Sequence, residues 1–158
     1  MSTFLDPATL NDRDAVADAV FRFAQGLDDN DADLVRSALI GDAVVDMTGV
    51  SEAVGVMEGR ETVVGKLIGN LGEMDTTHHV SNVRAVISGD SAELTCYALA
   101  QHFRPGEGLS IKEGKRYMLR GNRYHAQLER SSDWWRIRHL TIDGVWITGD
   151  VNLVTEPR

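Results

Sequence analysis

The 158-residue sequence holds one cysteine, Cys96, so no internal disulfide can staple it. Stability must come from burial, and a chain of this length is expected to fold as one domain that hides about 70% of the surface its unfolded form exposes. Cys96 falls inside an apolar strand-like run and reads as a packed thiol, not a nucleophile. No uninterrupted apolar stretch approaches the roughly 20 residues that cross a bilayer, and Met1-Ser2-Thr3-Phe4-Leu5-Asp6-Pro7 shows no basic segment leading into an apolar one. A soluble, cytoplasmic protein with no membrane partner is the expectation.

Positive charge is also scarce. Sixteen Lys and Arg stand against 24 Asp and Glu, a formal net charge of −8, and binding a polyanion such as nucleic acid draws on clustered cations. Nucleic acid is therefore not expected as a partner. The local group Arg116, Arg120 and Arg123 lacks an accompanying aromatic stacking motif and reads as decoration of a solvated sheet face. There is no glycine-rich phosphate loop, dinucleotide fingerprint, nucleophile elbow, helical His-Glu-x-x-His or cysteine cluster. No cofactor is implied. Adjacent His78 and His79 would point to opposite faces of a strand, which argues against their sharing a metal ion.

What the sequence does contain begins with two helical patterns. Asn11 can cap a helix over 12–27, with Val16, Val20, Phe21, Ala24 and Leu27 at helical spacing, and Asp31 can cap a shorter one over 32–39. A short strand at 43–47 with a partner near 55–59 precedes a third helix at 60–71, interrupted by Gly65 and Gly69. From residue 78 onward the texture turns to strands, at 78–88, 91–104, 116–130 and 134–147. Helices first and an antiparallel meander after them means α+β. The ends, 1–8 and 150–158, read as tails or arms.

Three of the five histidines, His79, His102 and His125, sit at matching places on these strands. Imidazole takes and gives a proton near neutrality, so several of them at one cavity would suggest acid–base chemistry. Alternation puts His79 on the face of Ser81, Val83, Ala85 and Ile87, with His78 opposite, and ends the small apolar stripe Leu94, Cys96, Ala98, Ala100 in His102. His125 and Gln127 share a face opposite Tyr124, Ala126 and Leu128, and alternation alone leaves open which face is inward. Asp28 ends the first helix. It is either a turn residue or a carboxylate that orients a histidine. Trp134, Trp135 and Trp146 read as packing residues.

From Phe21-Arg22-Phe23-Ala24-Gln25-Gly26-Leu27-Asp28 through Asp46-Met47 and Thr77-His78-His79 to Asp133-Trp134-Trp135-Arg136-Ile137, the pattern resembles the SnoaL-like branch of the nuclear-transport-factor-two-like superfamily, and within it the scytalone dehydratases. That resemblance implies a single domain over 1–158, with about 9–148 as its core, in which N-terminal helices pack on a strongly curved, mainly antiparallel sheet around one pocket. Matched motif by motif, the catalytic aspartate falls on Asp28, the catalytic histidines on His79 and His102, and two polar pocket positions on His125 and Gln127. The water-holding tyrosines fall on Leu27 and Met47, which implies a more apolar pocket.

The expected function is a cofactor-independent dehydratase acting on a small apolar cyclic or polyketide-type molecule, with isomerisation or cyclisation as the alternative on the same machinery. A homo-oligomer of two or three chains is the expected assembly. From a different class, the resemblance also admits a non-catalytic assembly subunit, similar to the small subunits of ring-hydroxylating dioxygenases, or a small-molecule carrier.

Overall fold

The computed structural model describes residues 9–154. Helix α1, Asp12–Asp28, begins where the Asn11 side chain accepts the Asp14 N–H at 3.0 Å, and Asp12 and Asp14 complement the helix dipole in its first turn. Its apolar stripe of Val16, Val20, Phe23 and Leu27 is buried. Asp31 caps α2, Ala32–Ser37, by accepting the N–H groups of Asp33 and Leu34. The two helices meet at Gly26, where a Cβ would come within 2.6 Å of the Val35 side chain. Only glycine permits that approach.

Strand β1, Leu39–Asp46, and β2, Val56–Glu58, form a small antiparallel pair, and α3, Arg60–Leu71, follows. The rest is sheet: β3 Asp75–Ser88, β4 Ser91–Phe103, β5 Tyr117–Ser131 and β6 Trp134–Gly149. The six strands run in the order β2-β1-β6-β5-β4-β3 and do not close into a barrel. All neighbours are antiparallel except β1 and β6, which pair in parallel. Local patterning foretold the meander, but nothing local marks a parallel pairing between residues 39–46 and a strand about a hundred positions later.

The helices cover one face of this mixed sheet, and the core forms between them from residues such as Val16, Val20, Phe23, Leu94, Ala126, Ile137 and Leu140. The buried tryptophan Trp135 packs there as well, and Cys96 is buried in the same cluster with its thiol pushed up to about 12 by desolvation. An inert, packed thiol is what the sequence implied.

One irregularity governs everything that follows. On β3, Val80 faces Ala98 and Ala85 faces Leu94, so five steps along β3 match four along β4. The extra residue is a bulge between Ser81 and Arg84, with Asn82 in the left-handed region at φ 53°. Inward side chains are therefore His78 and Val80 before the bulge but Val83, Ala85 and Ile87 after it. Strict alternation cannot hold across it.

The C-terminal segment also departs from expectation. Residues 150–154 are not a tail: the Asp150 N–H donates to the Tyr117 carbonyl at 2.8 Å, Asp150 pairs with Arg116, and Leu153 is buried against Met74 and Met118. The rest of the expected tails, 1–8 and 155–158, lies outside the described residues. No described helix is long and apolar enough to cross a membrane.

Candidate active site

A cavity of about 90 Å³ opens between the helices and the sheet, several times what one water needs. Leu27 from α1, Met47 and Val50 after β1, and Leu67 from α3 form its apolar wall. The sheet supplies the polar side: His78, His102, Arg120, Asn122 and Tyr124.

Asp28 grips His78, whose ring lines the cavity, and the two form a carboxylate–histidine dyad. Asp28 Oδ1 lies 2.6 Å from His78 Nδ1 and accepts the Thr76 hydroxyl at 2.8 Å, while Oδ2 accepts the His78 backbone N–H at 2.8 Å. Burial raises the Asp28 carboxyl, but these donors and the charge of His78 outweigh it and hold the group below the ordinary carboxylate range. A carboxylate fastened to Nδ1 fixes the ring and leaves Nε2 as the nitrogen with a lone pair. The ring is well shielded, its side chain only 5% exposed.

His102 sits at right angles to His78, with ring centroids 5.8 Å apart, and its Nδ1 lies 3.4 Å from the Met118 carbonyl. Burial, reinforced by the charge of His78, pushes its pKa down to about 4, against the opposing pull of the Met118 carbonyl. At neutral pH this ring is neutral. The sign for stability follows: an unfolded His102 titrates near 6.5, so the folded state is fully favoured above that pH and loses ground as pH falls from about 6.5 towards about 4. The slope from this one group is about 1.4 kcal/mol per pH unit, on the order of 3 kcal/mol across the window. Urea melts at pH 7 and pH 4.5 should show His102→Gln losing less stability between the two than the parent chain. Equal losses would mean that His102 protonates as easily folded as unfolded.

The structure separates the remaining sequence-based assignments. His102 lines the cavity and Asp28 stands behind its wall, bonded to His78, but His79 is exposed on the opposite face of β3, and its place is taken by His78. The cause is the bulge, which inverts the parity between His78–Val80 and the inward Val83, Ala85 and Ile87. His125 and Gln127 are likewise exposed on the outer face, His125 lying 4.0 Å from Glu93. On β5 the apolar set Tyr124, Ala126 and Leu128 is the inward one, as ordinary alternation favours.

The polar pocket positions of β5 lie earlier along the same inward face, at Arg120 and Asn122. Arg120 therefore does not belong to a solvated sheet face. Asn122 is buried at 7% exposure, and its Oδ1 has no protein partner. Leaving such an acceptor unmet costs about 1–3 kcal/mol, a penalty that a ligand donor would remove. Burial raises the Tyr124 phenol, which stays protonated at neutral pH. One sequence signal could have exposed the parity error: Ser81-Asn82 puts inside a strand the residue type that best tolerates φ > 0 after glycine. Among the described residues, no group of three or more His, Cys, Asp or Glu side chains is placed to hold a metal ion.

Comparison with known proteins agrees with this architecture. The model of the SnoaL-like domain family matches residues 8–141. Terrestric acid biosynthesis cluster protein E of Penicillium crustosum is 39% identical over 149 residues, covering 92% of this chain and 90% of that protein. Among solved structures, a Novosphingobium aromaticivorans protein assigned as a scytalone dehydratase superposes with a TM-score of 0.70 at 20% identity, over 85% of each chain. The hexachlorocyclohexane dehydrochlorinase LinA-type3 of Novosphingobium barchaimii gives a TM-score of 0.69 at 21% identity, over 92% of this chain and 94% of that one.

Proposed function

The chain belongs to the SnoaL-like domain family, and on that footing we propose that it is a cofactor-independent acid–base enzyme, a lyase that removes water from a small, largely apolar cyclic or polyketide-type molecule. The observation that carries this reading is the Asp28–His78 pair, joined at 2.6 Å, whose imidazole lines a mostly apolar cavity. A surface histidine needs no such carboxylate. A base that becomes a cation during each turnover does.

In the proposed reaction, His78 Nε2 takes a proton from carbon next to a carbonyl. The electrons of that C–H bond form the new C=C bond, and the C–O bond to the neighbouring hydroxyl breaks. The imidazolium then returns its proton to the departing oxygen, so water leaves and His78 is neutral again. Asp28 stabilises the imidazolium between these steps. His102, neutral at pH 7, is too weak a base to lead and serves as a hydrogen-bonding wall for the substrate. Asn122 offers its amide to a substrate oxygen or hydroxyl, and Leu27 and Met47 enclose the ring.

The names of related proteins point the same way. One is named for the terrestric acid biosynthesis cluster, and two structural neighbours are named for eliminations, of water and of hydrogen chloride. The test is a panel of small cyclic β-hydroxy ketones incubated with the protein in deuterated water. Loss of water by mass spectrometry, or deuterium at the α-carbon by NMR, is the expected result. A panel whose members bind the cavity yet neither exchange nor eliminate would overturn the reading.

A further inference from the structure

We propose that Arg120 makes this cavity a receptor for a planar oxyanion, a carboxylate or the enolate of an acidic 1,3-dicarbonyl, so that the substrate enters as an anion. The proposal rests on the acid–base reading of the same cavity and names the charge of the molecule that reading leaves open.

Arg120 projects from β5 into the cavity between Met118 and Asn122, opposite Ala100 of β4. One of its five N–H groups has a protein acceptor: Nη2 donates to the Val50 carbonyl at 3.1 Å. Among the described residues no carboxylate lies within ion-pair distance of it, and no Asp or Glu lines the cavity. Asp28, behind the His78 wall, is itself engaged by His78 and Thr76.

Several other arginines are matched by carboxylates. Arg22 meets Asp18, Arg36 meets Glu61, Arg116 meets Asp150 and Arg130 meets Asp12. Among the described residues Arg120 alone faces an internal space without a counter-charge, and a partly buried cation left so is costly. Guanidinium remains charged at any physiological pH, and its rigid fork fits two coplanar oxygens. Asn122, two residues on and on the same face, adds an unmet acceptor for a hydroxyl or N–H beside that anion.

A purely structural reading has Arg120 tether the segment after β1 through Val50. The two readings separate by binding rather than turnover. Calorimetric titrations of the whole chain with 2-furoate, with tetronate as the acidic enol, and with neutral 2-furamide supply the contrast. At least one of the two anions should bind about tenfold or more tighter than the amide, weakening with added salt. Arg120→Gln should remove that advantage while holding furamide within about twofold, and Arg120→Lys should restore part of it.

Furoate alone showing the advantage identifies the anion as a carboxylate; tetronate alone identifies an enolate. Equal affinity for all three probes, or an equal loss of all three in Arg120→Gln, overturns the proposal. Should Arg120→Gln fail to fold, the salt dependence and probe order of the parent chain and of Arg120→Lys decide. His78→Ala should keep the anion preference. Anion selectivity without elimination would thus refute only the lyase reading, and elimination without anion selectivity only this one.

Discussion

His78→Ala lowers turnover by about a thousandfold or more while leaving the fold nearly as stable as before. A positioned general acid or base commonly contributes about 10²- to 10⁴-fold, and in the proposed cycle His78 acts twice, first taking the proton and then returning it. The fold tolerates the change because the Asp28 carboxylate keeps two donors after the ring is gone, the Thr76 hydroxyl and the backbone N–H of residue 78. A buried carboxylate with two hydrogen bonds is not an orphan.

Asp28→Asn should cost about a hundredfold or more, since an amide keeps the size of the carboxylate but cannot stabilise an imidazolium. His79→Ala provides the control. Its ring is exposed on the outer face of β3, so activity should stay within about twofold. Rates and melting curves measured on all three variants check this. If His79→Ala silenced the enzyme and His78→Ala did not, the dyad would be misassigned.

That one-residue difference between His78 and His79 shows where sequence patterning ends. Helix and strand identities were legible because each depends on local periodicity, and α3 is found at 60–71 despite its two glycines. Asp28 and His102 were legible for a related reason: one sits at the end of a strongly periodic helix, the other at the end of an unbroken stripe from Leu94 to Ala100.

His78 was not, because its orientation depends on a bulge defined by pairing with β4 and not by the composition of β3 alone. On β5, alternation left the inward face open, and matching the family's polar positions to His125 and Gln127 then placed them five residues beyond Arg120 and Asn122 respectively, on the outer face. The apolar set was the sounder guide. Where along a strand a cavity lies depends on the elements covering it. Here Val50 and Val154 arrive from segments that alternation cannot position.

Arg22→Met should destabilise the protein by about 3 kcal/mol, a shift of roughly a hundredfold or more in the folded-to-unfolded ratio. Arg22 is buried at 6% exposure, and desolvation lowers its pKa despite the nearby carboxylate. Its guanidinium joins three elements: Nε donates to Asp18 on α1 at 2.7 Å, Nη1 to the Ser37 hydroxyl at 3.0 Å, and Nη2 to the Trp135 carbonyl on β6 at 2.8 Å. It also lies 4.8 Å over the Trp134 ring. Methionine fills much of the volume but leaves Asp18 without its cation and the Trp135 carbonyl without its donor.

Arg22→Lys should recover only part of the loss, because one ammonium cannot span groups that a planar fork reaches together. Removing both charges, in Asp18→Asn with Arg22→Met, should be less damaging than the sum of the single changes, since no carboxylate is then left unpaired. Urea denaturation and thermal melts decide the matter, the single change corresponding to a fall of roughly 6–12 °C. A loss below about 1 kcal/mol would mean that water replaces the guanidinium at little cost. The same lock bears on catalysis, because α1 is held to the sheet by Arg22 near its middle and by Asp28 at its end. A helix released at Arg22 would present Asp28 to His78 less firmly, so the surviving folded molecules should show a lower kcat with little change in KM.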